Sequence, residues 1–368
     1  MQRVAFELDA ALRRRSAAGD TSFRYASRVL VSSWRWVHVK VVPFLLGTWR
    51  TLARDIRRKD VDVIVFSSMV TAALAVPLRG LMQRHDVVAA AIVHGQDVTK
   101  PVHVWQALVS RVFRALDVVM PVSGATGEAC VERGLLPEKV AVVHNGVDLD
   151  RFDAMLDRLA TRGTRISAER AALHARTDHG DGPSPLLLCS VGRQVKRKGF
   201  AWFIRNVMPA LPPHVHYWLG GTGPEHDDIQ AAIQETALQS RVRLLGRLEE
   251  DELIDLYRSS DLFIMPNIPV PGDMEGFGIV MLEAGLTGLP TVAARLEGIR
   301  EVITPGENGY FVESGDAAGY VDRISSLDSD REALAALSDR TVRHVRSTFG
   351  WDAVAQNYLA VLARISSH

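Results

Sequence analysis

LLLCSVGRQVKRKGF, residues 186–200, joins an apolar run without polar alternation to a basic turn and then to a helical pattern. Such a run suits a parallel strand buried on both faces. The same grammar recurs downstream in HVHYWLGG (214–221), VRLLGR (242–247), DLFIMPN (261–267), LPTVAAR (289–295) and NGYFVES (308–314). Upstream it recurs in VDVIVFSS (61–68), VVAAAIVHGQD (87–97), DVVMPVS (117–123) and KVAVVHNGVD (139–148). Each run is read as a strand, and helical patterns separate most of them. Strand–helix alternation predicts an α/β chain with parallel sheets and right-handed crossovers.

A break separates the two halves. Residues 151–185 are charged and helical and end in the Gly/Pro/Asp cluster HGDGPSP, the mark of a linker or loop. The expected organisation is a first doubly wound domain over 1–150, a linker or helical insert over 151–185, and a second doubly wound domain over 186–349. The stretch FGWDAVAQNYLAVLARI has apolar residues at helical spacing, and the helix over 350–368 is expected to cross back to the first domain. Two such domains facing across a cleft would turn their strand carboxyl ends, and the loops that bind ligands, towards it.

The chain has 368 residues, enough for two cores, and its 43 basic and 43 acidic side chains cancel. That balance supports no general nucleic-acid role. Cys130 and Cys189 are the only cysteines, which excludes a disulfide scaffold and a Cys-rich zinc site and fits a reducing cytoplasm. The opening MQRVAFELDAALRRR is an amphipathic charged stretch and not a secretory signal. The most apolar segment, Val63 to Leu78, is too short and too interrupted by hydroxyl side chains and Pro77 to span a membrane.

Chemistry concentrates in GDMEGFGIVMLEAGLTGLP, residues 272–290. Glycines at a strand-to-helix turn let backbone N–H groups approach a ligand, and a helix starting near Ile279 favours anionic groups at its N-terminus. Glu283, just over one turn into that helix, suits a diol such as ribose, and Glu275 suits a sugar hydroxyl. In VGRQVKRKGF, Arg193 and Lys198 flank a strand-end loop with Lys196 and Arg197 inside it. Two cations there make a diphosphate clamp that neutralises charge on a leaving group. LGGTGPE (219–225) is a further Gly-rich turn, but it lacks the spacing of a nucleoside-triphosphate loop. His94 ends a strand, with Gly95 leaving room for a ligand. Ser123 and Thr126, and the turn Asn145 to Asp148, read equally as helix caps and domain-exit turns. The Asp-x-Asp triplets at 60/62, 148/150 and 328/330 have no His or Cys cluster beside them, so no metal is expected.

In combination, HGQDV (94–98), VSGAT (122–126), HNGVDLDRF (144–152), VGRQVKRKG (191–199), GTGPE (221–225), VRLLGRL (242–248) and EGFGIVMLEAGLTGLPTVA (275–293) resemble family 4 of the retaining glycosyltransferases, in family order over roughly residues 1–360. The resemblance implies the GT-B fold, with two facing Rossmann-like domains, and metal-independent transfer of a hexose without a cofactor. The nucleotide-diphosphate sugar would be a substrate. Arg193 and Lys198 would bind its diphosphate, Glu283 its ribose, and Glu275 with the backbone of Gly276, Phe277, Gly278 and Ile279 its sugar. Arg247, Leu248 and Gly221 would complete the donor side. His94 would touch the sugar from the acceptor side, where Asp97, Ser123 and Asn145 also lie. The acceptor would be a glycan or lipid-linked molecule in polysaccharide or glycolipid assembly. The loop NIPVPGDMEG resembles that of mannosyltransferases acting on phosphoinositide-type lipids, which favours GDP-mannose over UDP-sugars.

One departure stands out. In this family a strand and a glycine-rich turn precede the first helix, whereas here the chain opens on that helix, with Val4, Leu8, Ala11 and Leu12 on one face. A nucleotide-sugar epimerase of the same architecture and a catalytically impaired nucleotide-sugar-binding protein are the alternatives. An NAD-dependent dehydrogenase is disfavoured, since no GxGxxG follows any expected strand. Trp34-Arg35-Trp36, near Arg24, Arg28 and Lys40, suits either a peripheral contact with the inner face of the cytoplasmic membrane or an amphipathic helix packed on the first sheet.

Overall fold

The computed structural model describes residues 2–18, 22–30, 34–99, 103–160, 164–177 and 183–366. The chain forms two units: Met1–Gly146 with Trp351–His368, and Val147–Gly350. The cluster HGDGPSP lies largely outside the described residues. No helix among the described residues is long and apolar enough to cross a membrane.

The first unit runs α1 (Gln2–Ala17), α2 (Trp34–Arg58), β1 (Val63–Phe66), α3 (Met69–Ala72), α4 (Ala75–Arg84), β2 (Val88–Val93), α5 (Gly95–Thr99), α6 (His103–Ala115), β3 (Val118–Pro121) and α7 (Gly124–Val131). Its strands form one parallel sheet in the order β1-β2-β3, with Val63 opposite Val88 and Ala90 opposite Val118. The expected strand KVAVVHNGVD does not form. Val140 makes a single bridge to Val119, and Ala141 and Val143 donate to the carbonyls of Val119 and Pro121 at 2.9 and 3.0 Å. Pro121 has no N–H to return the next ladder bond, so the pairing stops there.

The second unit continues with α8 (Leu149–Ala160), α9 (Arg165–Thr177), β4 (Leu186–Val191), α10 (Phe200–Asn206), β5 (Val215–Gly220), α11 (His226–Glu235), β6 (Val242–Gly246), α12 (Glu250–Ser259), β7 (Leu262–Met265), α13 (Ile279–Leu286), β8 (Thr291–Ala294), β9 (Gly309–Val312), α14 (Ala317–Ser329) and α15 (Arg331–Phe349). The six expected strands all form, in one parallel sheet ordered β6-β5-β4-β7-β8-β9. Helices α8 and α9 belong to this unit and pack on α12. Phe203, Tyr217 and Tyr320 interlock at the core, with ring centroids 5.1 and 5.6 Å apart. The one polar side chain inside β4, Ser190, is explained by its partners. Tyr217 Oη donates to Ser190 Oγ at 2.7 Å, and Ser190 Oγ donates to the Ile264 carbonyl at 2.5 Å. That relay crosses β5, β4 and β7.

Both sheets use one device at the strand entry. Asp117, just before β3, accepts the Ala89 N–H of β2 at 2.9 Å, and Arg79 balances its charge at 2.7 Å. Asp261, just before β7, accepts the Leu187 N–H of β4 at 2.6 Å, and Arg170 balances it at 2.9 Å. A backbone donor at the end of a strand would otherwise lack a partner.

The chain ends in α16 (Trp351–Ser366), which returns to the first unit and packs against α1. Val4, Leu8, Ala11 and Leu12 are all buried, as their spacing predicts. Trp351 Nε1 donates to Glu7, and Arg14 reaches Asp352 at 3.3 Å. Leu8→Ala is expected to destabilise the first unit by about 2–4 kcal/mol, the range for a truncated core leucine. Urea unfolding followed by circular dichroism measures it, and a loss below about 1 kcal/mol would mean that α1 does not anchor the unit.

Candidate functional site

The order β6-β5-β4-β7-β8-β9 places a topological switch between β4 and β7. The chain leaves β4 through α10 towards β5 on one side, and leaves β7 through α13 towards β8 on the other. Ligands of open α/β sheets bind outside the carboxyl ends of the strands at such a point. The loop after β4 carries Arg193 and Lys198, and the loop after β7 carries Glu275 to Gly278.

These two loops meet through a buried ion pair. Lys198 Nζ lies 2.6 Å from Glu275 Oε2, and both side chains are about nine-tenths buried. Asn267 Nδ2 donates to the same oxygen at 3.3 Å, and Arg197 approaches it at 3.5 Å while reaching Asp273 at 3.4 Å. Burial alone would raise the Glu275 pKa. The charges of Lys198 and Arg197 and the hydrogen bonds from Lys198 and Asn267 outweigh it and hold the carboxyl below its ordinary value of 4.5. On the backbone side, Glu275 N–H donates to the Glu297 carboxylate, and Gly298 N–H donates to the Glu275 carbonyl at 3.2 Å.

The basic turn is shaped by close backbone approach. Gly199 has φ +67°, and a Cβ there would fall 2.0 Å from the Pro266 carbonyl oxygen. Gly221 has φ +119°, and a Cβ there would fall 2.0 Å from the Gly192 carbonyl oxygen. No side chain fits either position, so glycine lets the loops after β4, β5 and β7 lie against one another. Buried Gln194 locks two of them: its Nε2 donates to the Gly221 carbonyl at 2.9 Å, and its Oε1 lies 2.9 Å from His226 Nδ1.

Around this centre, Arg193 is exposed while Lys198 is buried, so the two expected phosphate cations differ in setting. Gly278 caps α13 from the left-handed region, Ile279 starts the helix, and Glu283 is buried one turn further in. Phe277 is also buried, with its ring 6.1 Å from that of Phe349. Leu248 covers the end of β5, where a Cβ on Gly220 would lie 2.8 Å from its Cδ1, and Arg247 beside it is exposed.

The remaining candidates belong to the first unit. Burial pushes the His94 pKa down to about 3 against the opposing hydrogen bond with the Ser67 backbone, so its imidazole is neutral near pH 7. Ser123 caps α7, accepting the Thr126 N–H at 3.2 Å, which is the capping role its sequence allowed. Asn145 is buried, and its Oδ1 has no hydrogen-bond partner among the described residues. Asp97 falls within α5, with its side chain outside the described residues.

Arg197, Asn267, Gln194 and Glu297 were not singled out as site residues from sequence. Arg197 sits in a run of four residues with three cations, and nothing local separates the buried ones from exposed Lys196. Glu297 carries a detectable mark only in three dimensions, a φ of +47° on a non-glycine residue. Among the described residues no three His, Cys, Asp or Glu side chains group as metal ligands. Burial pushes the Cys189 thiol up to about 12, which leaves it unreactive as a nucleophile.

Glu275→Gln is expected to destabilise the second unit by roughly 3–5 kcal/mol, because it strands buried Lys198 without its closest counter-charge. Adding Lys198→Met should recover most of that loss in urea unfolding at pH 7. The lowered Glu275 pKa gives the sign of the pH effect. Its contribution is complete above the ordinary value of 4.5 and is lost as pH falls through the lower folded-state value. A Glu275→Gln protein as stable as wild type would show that the pair adds nothing.

The chain was compared with known proteins. The family model described as Glycosyltransferase Family 4 matches residues 2–151, and that described as Glycosyl transferases group 1 matches residues 185–330. The lipopolysaccharide core biosynthesis glycosyltransferase LpsE of Rhizobium meliloti is 31% identical over 201 residues, 55% of each chain. The sulfoquinovosyl transferase SQD2 of Arabidopsis thaliana is 28% identical over 343 residues, covering 89% of this chain and 62% of that one. This chain thus spans between about half and two thirds of the length of these relatives. Among solved structures, Anabaena HepE in complex with UDP has a TM-score of 0.67 at 19% identity, over 88% of this chain and 82% of HepE. That likeness bears on the fold, which is GT-B in kind. With one family model on each unit, the chain belongs to the family 4 glycosyltransferases.

Proposed function

We propose that the protein moves a hexose from a nucleotide-diphosphate sugar to a hydroxyl of a glycan or lipid-linked acceptor, with retention of configuration and without a metal cofactor. The observation that carries this reading is the meeting of Lys198 with Glu275 at the β4–β7 switch, 2.6 Å apart. A cation and a carboxylate fixed together there suit a donor whose diphosphate and sugar sit side by side. The anomeric C–O bond breaks, its electron pair leaves with the diphosphate, and the acceptor oxygen forms the new bond and releases its proton. Lys198 and Arg193 stabilise the departing charge, and Glu275 orients the sugar hydroxyls. The glycines at 276 and 278 bring backbone N–H groups close, and Glu283 holds the ribose. His94, neutral near pH 7, can make a hydrogen bond but no charge–charge contact.

HepE was solved with UDP and with UDP-glucose, which supports uracil as a candidate donor base. The loop NIPVPGDMEG keeps GDP-mannose beside it. Lipopolysaccharide core assembly, in the name of one relative, supports a glycan or glycolipid acceptor.

Thermal unfolding with UDP, GDP, ADP and CDP in turn tests the donor site. The matching nucleotide at a hundred times its dissociation constant stabilises by about 2.7 kcal/mol and raises the midpoint by several degrees. No shift with any of the four would remove the nucleotide-sugar reading. Lys198→Ala is expected to slow transfer about a hundredfold, as loss of one preorganised charge stabiliser does. Turnover within a few-fold of wild type would remove Lys198 from the chemistry, and a rate that collapses with EDTA would overturn metal independence.

A further inference from the structure

We propose that the middle of α2 is a docking face for an anionic lipid surface, formed by Val42, Leu46 and Trp49. These residues stand at i, i+4 and i+7, so at about 100° per residue they make one stripe along the helix. The same stripe continues through Ala53 and Ile56, which are buried where α2 packs on α4. Further towards the N-terminus the stripe is exposed among the described residues: Val42 is 57% exposed, Leu46 51% and Trp49 38%. The apolar face thus runs past the part that the core uses. Trp34 and Trp36, the pair that drew notice in the sequence, have side chains outside the described residues, and the exposed stripe lies beyond them.

Charge names the occupant. The whole chain is balanced, yet residues 22–58 hold eight Arg or Lys and a single acid, Asp55. Asp55 is paired with Arg54 at 3.1 Å. Arg50, Arg54 and Arg57 are exposed and fall on one flank of the stripe. Arg28 donates to the Gly47 carbonyl at 3.2 Å, which brings another cation to the level of Leu46. An apolar stripe bordered by cations is the arrangement by which a helix lies in a lipid interface, its apolar residues among acyl chains and its cations at anionic headgroups. A docking protein of ordinary composition would not call for so one-sided a charge. The inference does not rest on the transfer reading and stands or falls separately from it.

Flotation of the full chain with phosphatidylcholine vesicles, with and without phosphatidylglycerol, tests the proposal. Wild type is expected to float with the anionic vesicles, to float less as salt rises, and to stay at the bottom with neutral ones. Val42→Glu with Leu46→Glu, and separately Arg50→Glu with Arg57→Glu, should each lower the bound fraction about tenfold or more. All these side chains are exposed, so the variants should keep the wild-type melting temperature. A melting temperature that falls calls for the milder pair Leu46→Ser with Trp49→Ser, read in the same way. Three outcomes overturn the proposal: flotation unchanged in both variants, flotation indifferent to lipid charge, or no flotation of wild type. Light scattering adds a fourth, a wild-type dimer that Val42→Glu with Leu46→Glu dissolves, which would make the stripe an interface between copies of this chain.

Discussion

A lysine ammonium and a glutamate carboxylate, both withdrawn from water and 2.6 Å apart, hold together the loops on which the second unit's site depends. Removing two charges from solvent is expensive, and their attraction offsets that only when geometry is good and the remaining polar atoms are satisfied. Asn267 and Arg197 supply the additional contacts to Glu275, while Glu297 takes its backbone N–H. Lys198 and Glu275 are thus held in place by neighbouring side chains and backbone.

The pair can form only because the sheet places its two loops side by side. β4 and β7 are neighbours in space, although about seventy residues separate them in the chain. Their adjacency is secured at both ends. Asp261 ties the entrance of β7 to Leu187 of β4, and Ser190 relays a hydrogen bond from Tyr217 to Ile264 near the middle. At the carboxyl end, Gly199 lets the basic turn lie against Pro266. The first two links are hydrogen-bonded groups that would be unsatisfied if the strands moved apart, and the third is a close backbone approach. The Asp117 contact in the first unit repeats the same solution in an independent sheet.

Much of this was legible in the residues. The unbroken apolar runs gave all six strands of the second sheet because strands buried on both faces need no polar alternation. Val4, Leu8, Ala11 and Leu12 gave the buried face of α1 for the corresponding helical reason. KVAVVHNGVD misled because β-branched content cannot report that the neighbouring strand ends in Pro121, which lacks the donor a further ladder bond needs. On α2, exposure is decided by where the helix leaves the core. Val42, Leu46 and Trp49 have the same spacing as buried Ala53 and Ile56.

By itself, then, the sequence determined the strand–helix alternation, the helix faces and the residue types of the site, since these follow from local periodicity and from the motifs that carry the family resemblance. Tertiary structure alone decided which of the basic residues at 193–198 are buried, that Lys198 and not exposed Arg193 meets Glu275, and that Ser123 serves as a cap. Burial and pairing depend on residues far away in the chain. A local pattern holds no record of which strand becomes the neighbour, and charge, desolvation and hydrogen bonding all act through that neighbour.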